Sequence, residues 1–300
     1  MASKKEILIA TDFSNESNSG VTRSHQLIDL GTKLAKRLKM NLKILYAIDV
    51  PKKFFPTKET LLGPGSDWIK QLSTEAKVEI MNGKPAEMIL KSERSKNDVE
   101  MLVQGTRGNR GLKAALLGSV SEEVLRNSKH PVVVLGPQAL SEKFKLKASG
   151  KLKLLVVTDL TEASGPAERY ALQLAKKLPA DIVLAHSVGD SIRRLKDMVS
   201  TQRIVSPKAD AFLEEIKEHA EESMARKMKS LSGQTAVKVT PYLSYEEKDV
   251  VKVLQQQNWQ DCDLIVMGSH SRSRLLKVFL GSTARRMILN APVPVIVIRS

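Results

Sequence analysis

The sequence predicts an α/β fold built from two doubly wound, Rossmann-like units in tandem, each with a five-stranded parallel sheet. Continuous apolar runs alternate with amphipathic helical segments, a pattern typical of parallel strands that are buried on both faces. The same motifs occur twice along the chain, in the same order. The length of 300 residues is sufficient for two ordinary domains.

The composition favours a water-soluble chain that buries a substantial core. Apolar residues make up 42% and charged residues 27%, and no apolar run approaches the length of a membrane span. The polar N-terminus lacks the features of a signal peptide, and a single cysteine excludes an intramolecular disulfide. We therefore expect a cytoplasmic protein without membrane insertion. The net charge of +15 favours acidic partners, but the scarcity of aromatic residues disfavours nucleic acid.

Each half opens with the same three elements. An apolar strand ends in Thr-Asp at residues 7–12 and again at 154–159. A helical pattern then ends in Leu-Ala-Lys, at 34–36 and at 174–176, and a second strand follows, at 42–48 and at 182–188.

The later elements repeat with equal spacing. The strand that ends at Gly105 matches the one that ends at Gly268, and each half closes on a Pro-led apolar run, at 131–135 and 294–298. Gly105 precedes Gly118 by 13 residues, and Gly268 precedes Gly281 by 13 residues. The repeats differ in the middle, where the second half is longer and includes a helical stretch at 209–231. A polar segment separates the halves, which predicts domains at 1–137 and 153–300 and a linker at 138–152.

Functional residues are expected where the strands end, because ligands of doubly wound sheets bind at the carboxyl ends of the strands. Asp12 and Asp159 end the first strand of each half, and a carboxylate there can accept a hydrogen bond from a ribose hydroxyl or a base amine. The alternative for both residues is a helix N-cap or a loop role.

A glycine-rich segment follows the fourth strand. It contains Gly105, Arg107 and Gly108, and then Gly118 and Ser119, which open a predicted helix at 120–128. Glycines let backbone amides approach phosphate oxygens, and a helix N-terminus attracts anions. The alternative is a turn without a ligand.

These residues resemble the universal stress protein family. Its signature Gly-x2-Gly-x9-Gly-[Ser/Thr] is met in full by Gly105, Gly108, Gly118 and Ser119, and the resemblance covers nearly the whole chain twice. It implies a sheet order of 3-2-1-4-5 and binding of ATP, with Mg²⁺ as a candidate companion. It also implies pairing of the last strands, so we expect an intramolecular pseudo-dimer, with a homodimer left open.

The resemblance implies which residues hold the nucleotide. In the first half these are Asp12, Ala47, Gly105, Arg107, Gly108, Gly118, Ser119, Val120 and Ser121, and in the second half Asp159, Ser187, Gly268, Ser271, Gly281 and Ser282. Ser271 stands where the signature has its second glycine. If that position requires a positive φ, serine is disfavoured there, so we expect the second site to be the weaker one.

The function that follows is a nucleotide-sensing, stress-response regulator with a protein partner that the sequence does not identify. No motif positions a catalytic base, and the histidines lack metal-ligand spacing. Two alternatives stay open. One is a slow ATP hydrolase or an adenylate-transferring enzyme on the same fold, and the other is a scaffold protein that binds no nucleotide.

Overall fold

A computed structural model defines the architecture. It describes residues 5–12, 23–55, 76–95, 98–106, 117–142, 144–201, 206–232, 237–246, 248–256, 259–269 and 280–299. Strands and helices alternate along the described residues of both halves, as the sequence predicts, because β-branched apolar runs alternate with amphipathic segments.

The described residues of the first repeat form five strands and three helices, followed by a short helix in the predicted linker. In chain order they are β1 (Glu6–Ala10), α1 (Arg23–Leu38), β2 (Asn41–Ile48), β3 (Lys77–Asn82), α2 (Pro85–Arg94), β4 (Val99–Gly105), α3 (Ser119–Asn127), β5 (Val132–Leu135) and α4 (Pro137–Ser141). A 3-10 turn at Lys52–Phe54 follows β2.

The described residues of the second repeat follow the same order of strands and include two consecutive helices between its second and third strands. Its elements are β6 (Leu152–Val157), α5 (Gly165–Lys177), β7 (Ala180–Ser187), α6 (Gly189–Ser200), α7 (Ser206–Ser232), β8 (Val239–Ser244), α8 (Val250–Gln256), β9 (Leu264–Gly268), α9 (Ser282–Asn290) and β10 (Val295–Ile298). The 27-residue α7 contains the helical stretch that the sequence predicts at 209–231.

The ten strands form one sheet in the order β3-β2-β1-β4-β5-β10-β9-β6-β7-β8. Within each repeat the pairing is parallel, and the two repeats meet where β5 pairs antiparallel with β10. The two five-stranded sheets that the sequence predicts are therefore joined into one sheet. Val133 pairs with Ile296, which lies 163 residues further along the chain, the same separation that relates Gly118 to Gly281. The pairing thus brings equivalent positions of the two repeats together.

Helices cover both faces of the sheet, and both cores run through the two repeats. On one face, α1 and α5 pack their buried leucines and alanines against the strands. On the other face, α2, α3, α8 and α9 do so. The predicted linker contributes Ala139 and Leu146 to the first of these cores, and both residues are buried. This packing fixes the strand ends, where the candidate site lies.

Candidate functional site

A cavity of about 380 Å³ lies in the second repeat, at the carboxyl ends of β6, β7 and β9 and the start of α9. All five described residues that the sequence predicts for a second site line it: Asp159, Ser187, Gly268, Gly281 and Ser282. The topology explains this grouping, because β6 lies between β7 and β9, so the three strand ends meet at one edge.

Asp159 uses its two carboxylate oxygens differently. Its Oδ1 accepts hydrogen bonds from the backbone N–H of Thr161 at 3.0 Å, from the Thr161 hydroxyl at 2.7 Å and from the Ser164 hydroxyl at 2.7 Å. Its Oδ2 is buried and has no hydrogen-bond partner within the described residues. Asp159 can therefore stabilise its loop through Oδ1 and still accept a hydrogen bond from a ligand through Oδ2.

The glycine segment places a helix start at the cavity. The N–H of Gly281 donates to the carbonyl of Ser269 at 2.9 Å, which brings together the two ends of the segment 270–279. Gly281 is extended, with φ −58° and ψ 147°, and has no side chain that could cap α9. The first N–H groups of α9 therefore face the space beside Ser282 without a side-chain cap from Gly281, an arrangement that suits an anion.

An ion pair lies beside this helix start. The Arg286 guanidinium donates to Asp249 Oδ1, which also accepts from the N–H of Val251 at 3.0 Å and of Lys252 at 3.2 Å. Burial of Asp249 opposes its ionisation, but these backbone and guanidinium donors outweigh burial and lower the pKa of Asp249. Asp249 thus stays ionised and holds Arg286 at the cavity.

The first turns of α6 line the same cavity with Asp190, Ser191 and Arg194. Sequence reasoning missed these residues, because they lie in the segment where the repeats diverge. Their position was the only sequence feature that pointed to the site, because they follow Ser187, at the end of the second strand, within seven residues. Arg194 is exposed and places a positive charge on this wall.

A smaller cavity of about 150 Å³ occupies the corresponding place in the first repeat. Five of the predicted residues line it: Asp12, Ala47, Gly105, Val120 and Ser121. The parallel pairing of β1 with β2 brings their ends together, and burial and the charge of Asp12 raise the pKa of Tyr46.

The remaining predicted residues of the first half include Gly118 and Ser119, which immediately precede Val120 at the start of α3. The N–H of Gly118 donates to Thr106 O at 2.8 Å, as Gly281 does to Ser269. The hydroxyl of Ser121 donates to the carbonyl of Gly105 at 2.8 Å. In the second repeat alanine replaces that serine, at position 284.

Three predicted site residues, Arg107, Gly108 and Ser271, lie outside the described residues. The expectation that Ser271 weakens the second site stays a prediction. In the described part of the chain, no group of three or more His, Cys, Asp or Glu side chains is placed to hold a metal ion. The described helices also include none whose length and apolarity suit a membrane crossing.

Cys262 is buried, as the sequence predicts, and its thiol donates to the carbonyl of Trp259 at 2.8 Å. Burial is the main cause that raises the pKa of Cys262 to about 12, so the thiol is protonated at neutral pH and poorly nucleophilic.

The fold and the two cavities define a tandem α/β protein with a candidate ligand site at the strand ends of each repeat. The sequence model of the universal stress protein family matches residues 4–136 and again residues 152–299. The chain therefore belongs to the universal stress protein family, in its tandem two-domain form.

Individual relatives agree with this assignment. A universal stress protein of Methanocaldococcus jannaschii is 26% identical over 147 residues, which cover 49% of this chain and 81% of that protein. One from Mycobacterium tuberculosis is 26% identical over 203 residues, which cover 68% of this chain but only 63% of the relative. A solved universal stress protein from Archaeoglobus fulgidus shares the fold with a TM-score of 0.60 at 21% identity, over 98% of this chain and 96% of that one.

Proposed function

We propose that the protein is a stress-response protein that senses adenine nucleotide by binding ATP at the strand ends of each repeat. Its two domains, 1–137 and 153–300, would each provide one site, with 138–152 as the connection. Membership of the universal stress protein family supports a stress-related role. The chemistry of the two cavities supports the choice of ligand.

The observation that carries the proposal is the arrangement around Asp159. A buried carboxylate oxygen without a hydrogen-bond partner is unfavourable, and a donor from a ligand would satisfy it. A ribose hydroxyl or the adenine amine is such a donor. Ser187, at the end of the adjacent strand, lines the same cavity and would flank the adenosine.

The opposite wall suits phosphates. The start of α9 offers backbone N–H groups beside Gly281 and Ser282, and its first turn contains no acidic residue. The positive charge of Arg286 lies close by. A Mg²⁺ ion that accompanies the nucleotide would be held mainly by phosphate oxygens.

Two glycine variants test this proposal. We expect ATP to bind with a micromolar dissociation constant, about −8 kcal/mol, measured by calorimetry. Gly281→Val and Gly118→Val add a branched side chain where each glycine segment meets its helix, so each should abolish most binding at its own site. Mass spectrometry should detect ATP or AMP released from the purified protein.

The stoichiometry decides the outcome. The wild-type protein should show two sites of unequal affinity, or one ATP per chain. If the wild type has two sites, each folded valine variant should lose its own site and retain the other; if it binds one ATP, only one of the two variants should lose it. If the wild-type protein releases no nucleotide and calorimetry detects no ATP binding, the chain is a scaffold and the proposal is wrong.

A further inference from the structure

We propose that Glu168 and Lys227 are positioning residues that hold Asp159 in place for its ligand, so that the second site depends on helix α7. This inference rests on the proposed function of that site. It assigns a role to α7, which contains the helical stretch of the longer second repeat.

A chain of buried polar contacts links α7 to the strand end. Glu168 on α5 is 4% exposed, and its Oε1 accepts a hydrogen bond from the Thr158 hydroxyl at 2.6 Å. Its Oε2 accepts from the Lys227 ammonium at 2.8 Å. The same ammonium donates to the carbonyl of Thr161 at 3.1 Å. Lys227 thus contacts both the carboxylate that anchors Thr158 and the backbone just beyond Asp159.

The segment 158–164, which we call the Asp159 loop, needs such support. Leu160 has a φ of +62°, a backbone conformation that residues other than glycine rarely adopt. The N–H of Leu160 donates to the hydroxyl of Thr158 at 3.0 Å, so the anchored Thr158 side chain holds this strained residue. The Asp159 carboxylate, between Thr158 and Leu160, is therefore fixed from both sides.

The described residues at the corresponding positions of the first repeat differ. When the two repeats are aligned on their Leu-Ala-Lys helix ends, at 34–36 and 174–176, the position equivalent to Glu168 is the apolar Ile28. The hydroxyl of Thr11, which corresponds to Thr158, donates instead to the hydroxyl of Ser24 at 3.0 Å. Among the described residues, the charged pair at this strand end therefore belongs to the second repeat.

Helix α7 also packs against a helix that lines the cavity. Helix α6, which precedes α7, lines the cavity, and Ala220 of α7 packs in a small buried cluster with Val188 and Ile192 at the start of α6. A change in the packing of α7 would therefore shift both the Asp159 loop and the part of α6 that lines the cavity.

The test uses the double variant Glu168→Gln, Lys227→Met, which removes both charges and so leaves no unpaired charge in the core. Its matched control is Glu214→Gln, Lys217→Met, which removes the more exposed ion pair on α7, with its 2.7 Å contact. Both are made in the Gly118→Val background, so that calorimetry with ATP reports the second site. Amide hydrogen exchange of the Asp159 loop is measured without nucleotide.

We expect the Glu168–Lys227 double variant to bind ATP about tenfold more weakly, and the amides of Leu160 and Thr161 to exchange about tenfold faster. The control pair should stay within about twofold of its parent in both measurements. Unchanged exchange, or faster exchange with unchanged ATP affinity, would overturn the inference. If the parent binds no ATP, the proposed function of this cavity fails, and the exchange rates alone decide whether the pair holds the loop.

Discussion

The two carboxylate oxygens of Asp159 differ in their hydrogen bonding. Oδ1 is used by Thr161 and Ser164, whereas the buried Oδ2 has no hydrogen-bond partner in the described part of the chain. Asparagine has nearly the same shape, so it can preserve the Oδ1 contacts while replacing Oδ2 with an NH₂ group. An NH₂ group cannot accept a hydrogen bond.

We therefore predict that Asp159→Asn leaves the protein folded but weakens ATP binding at the second site about tenfold or more, because a hydrogen bond to a charged group is lost. Calorimetry in the Gly118→Val background measures the affinity, and urea unfolding checks the fold. Asp12→Asn is the matched variant for the first site. ATP affinity that is unaffected by Asp159→Asn would remove Asp159 from the proposed site.

At the scale of elements, Asp249 connects two helices of the second cavity. It caps the start of α8 through the N–H groups of Val251 and Lys252, and it binds Arg286 of α9. Because these donors lower its pKa below the ordinary value, the stabilisation is fully present above about pH 4. It is lost as the pH falls through the lowered pKa of the folded state.

Asp249→Ala should therefore cost about 1–3 kcal/mol at neutral pH, because it removes a cap and leaves Arg286 without this partner. The difference in unfolding free energy between wild type and variant should shrink as the pH falls below about 4. Urea titrations from pH 7 down to 3 test this. A difference that is constant over the whole range would show that the charge of Asp249 contributes nothing.

The elements themselves could be predicted because their signals are local. Where the sequence analysis gave both bounds, apolar runs placed six strands within two residues of their observed bounds, and helical periodicity placed α3 and α7 within three. The short helix α4 escaped prediction, since its polar sequence resembles a linker. The contact between Glu168 and Lys227 could not be predicted either, because no spacing rule links two charges that lie 59 positions apart in the chain.

At the scale of the whole molecule, the sequence predicted the strand pairing between the repeats but not the ion pair that forms beside it. Strand pairing between the repeats was expected from the family resemblance and the two apolar last strands, and β5 does pair with β10. Which charged residues meet across this junction depends on the geometry of the joined sheet. Sequence alone therefore could not reveal that Glu122 of α3 and Arg285 of α9 form an ion pair at 2.7 Å.

Glu122 and Arg285 are equivalent positions of the two repeats, since they too lie 163 residues apart. Two copies of one repeat, joined in the same way, would place two glutamates or two arginines against each other at this point. The opposite charges are therefore complementary only when a first repeat meets a second repeat. This favours the pairing within one chain over pairing between like repeats.

We predict that Glu122→Arg, which sets two arginines against each other, destabilises the protein by about 1 kcal/mol, because the pair is only partly buried. Adding Arg285→Glu reverses both charges and should restore most of that loss, and both effects should weaken at high salt. Urea unfolding of the two single variants and the double variant forms a cycle that isolates the pair. If the reversed double variant is no more stable than the sum of the single losses predicts, the two side chains do not interact in solution.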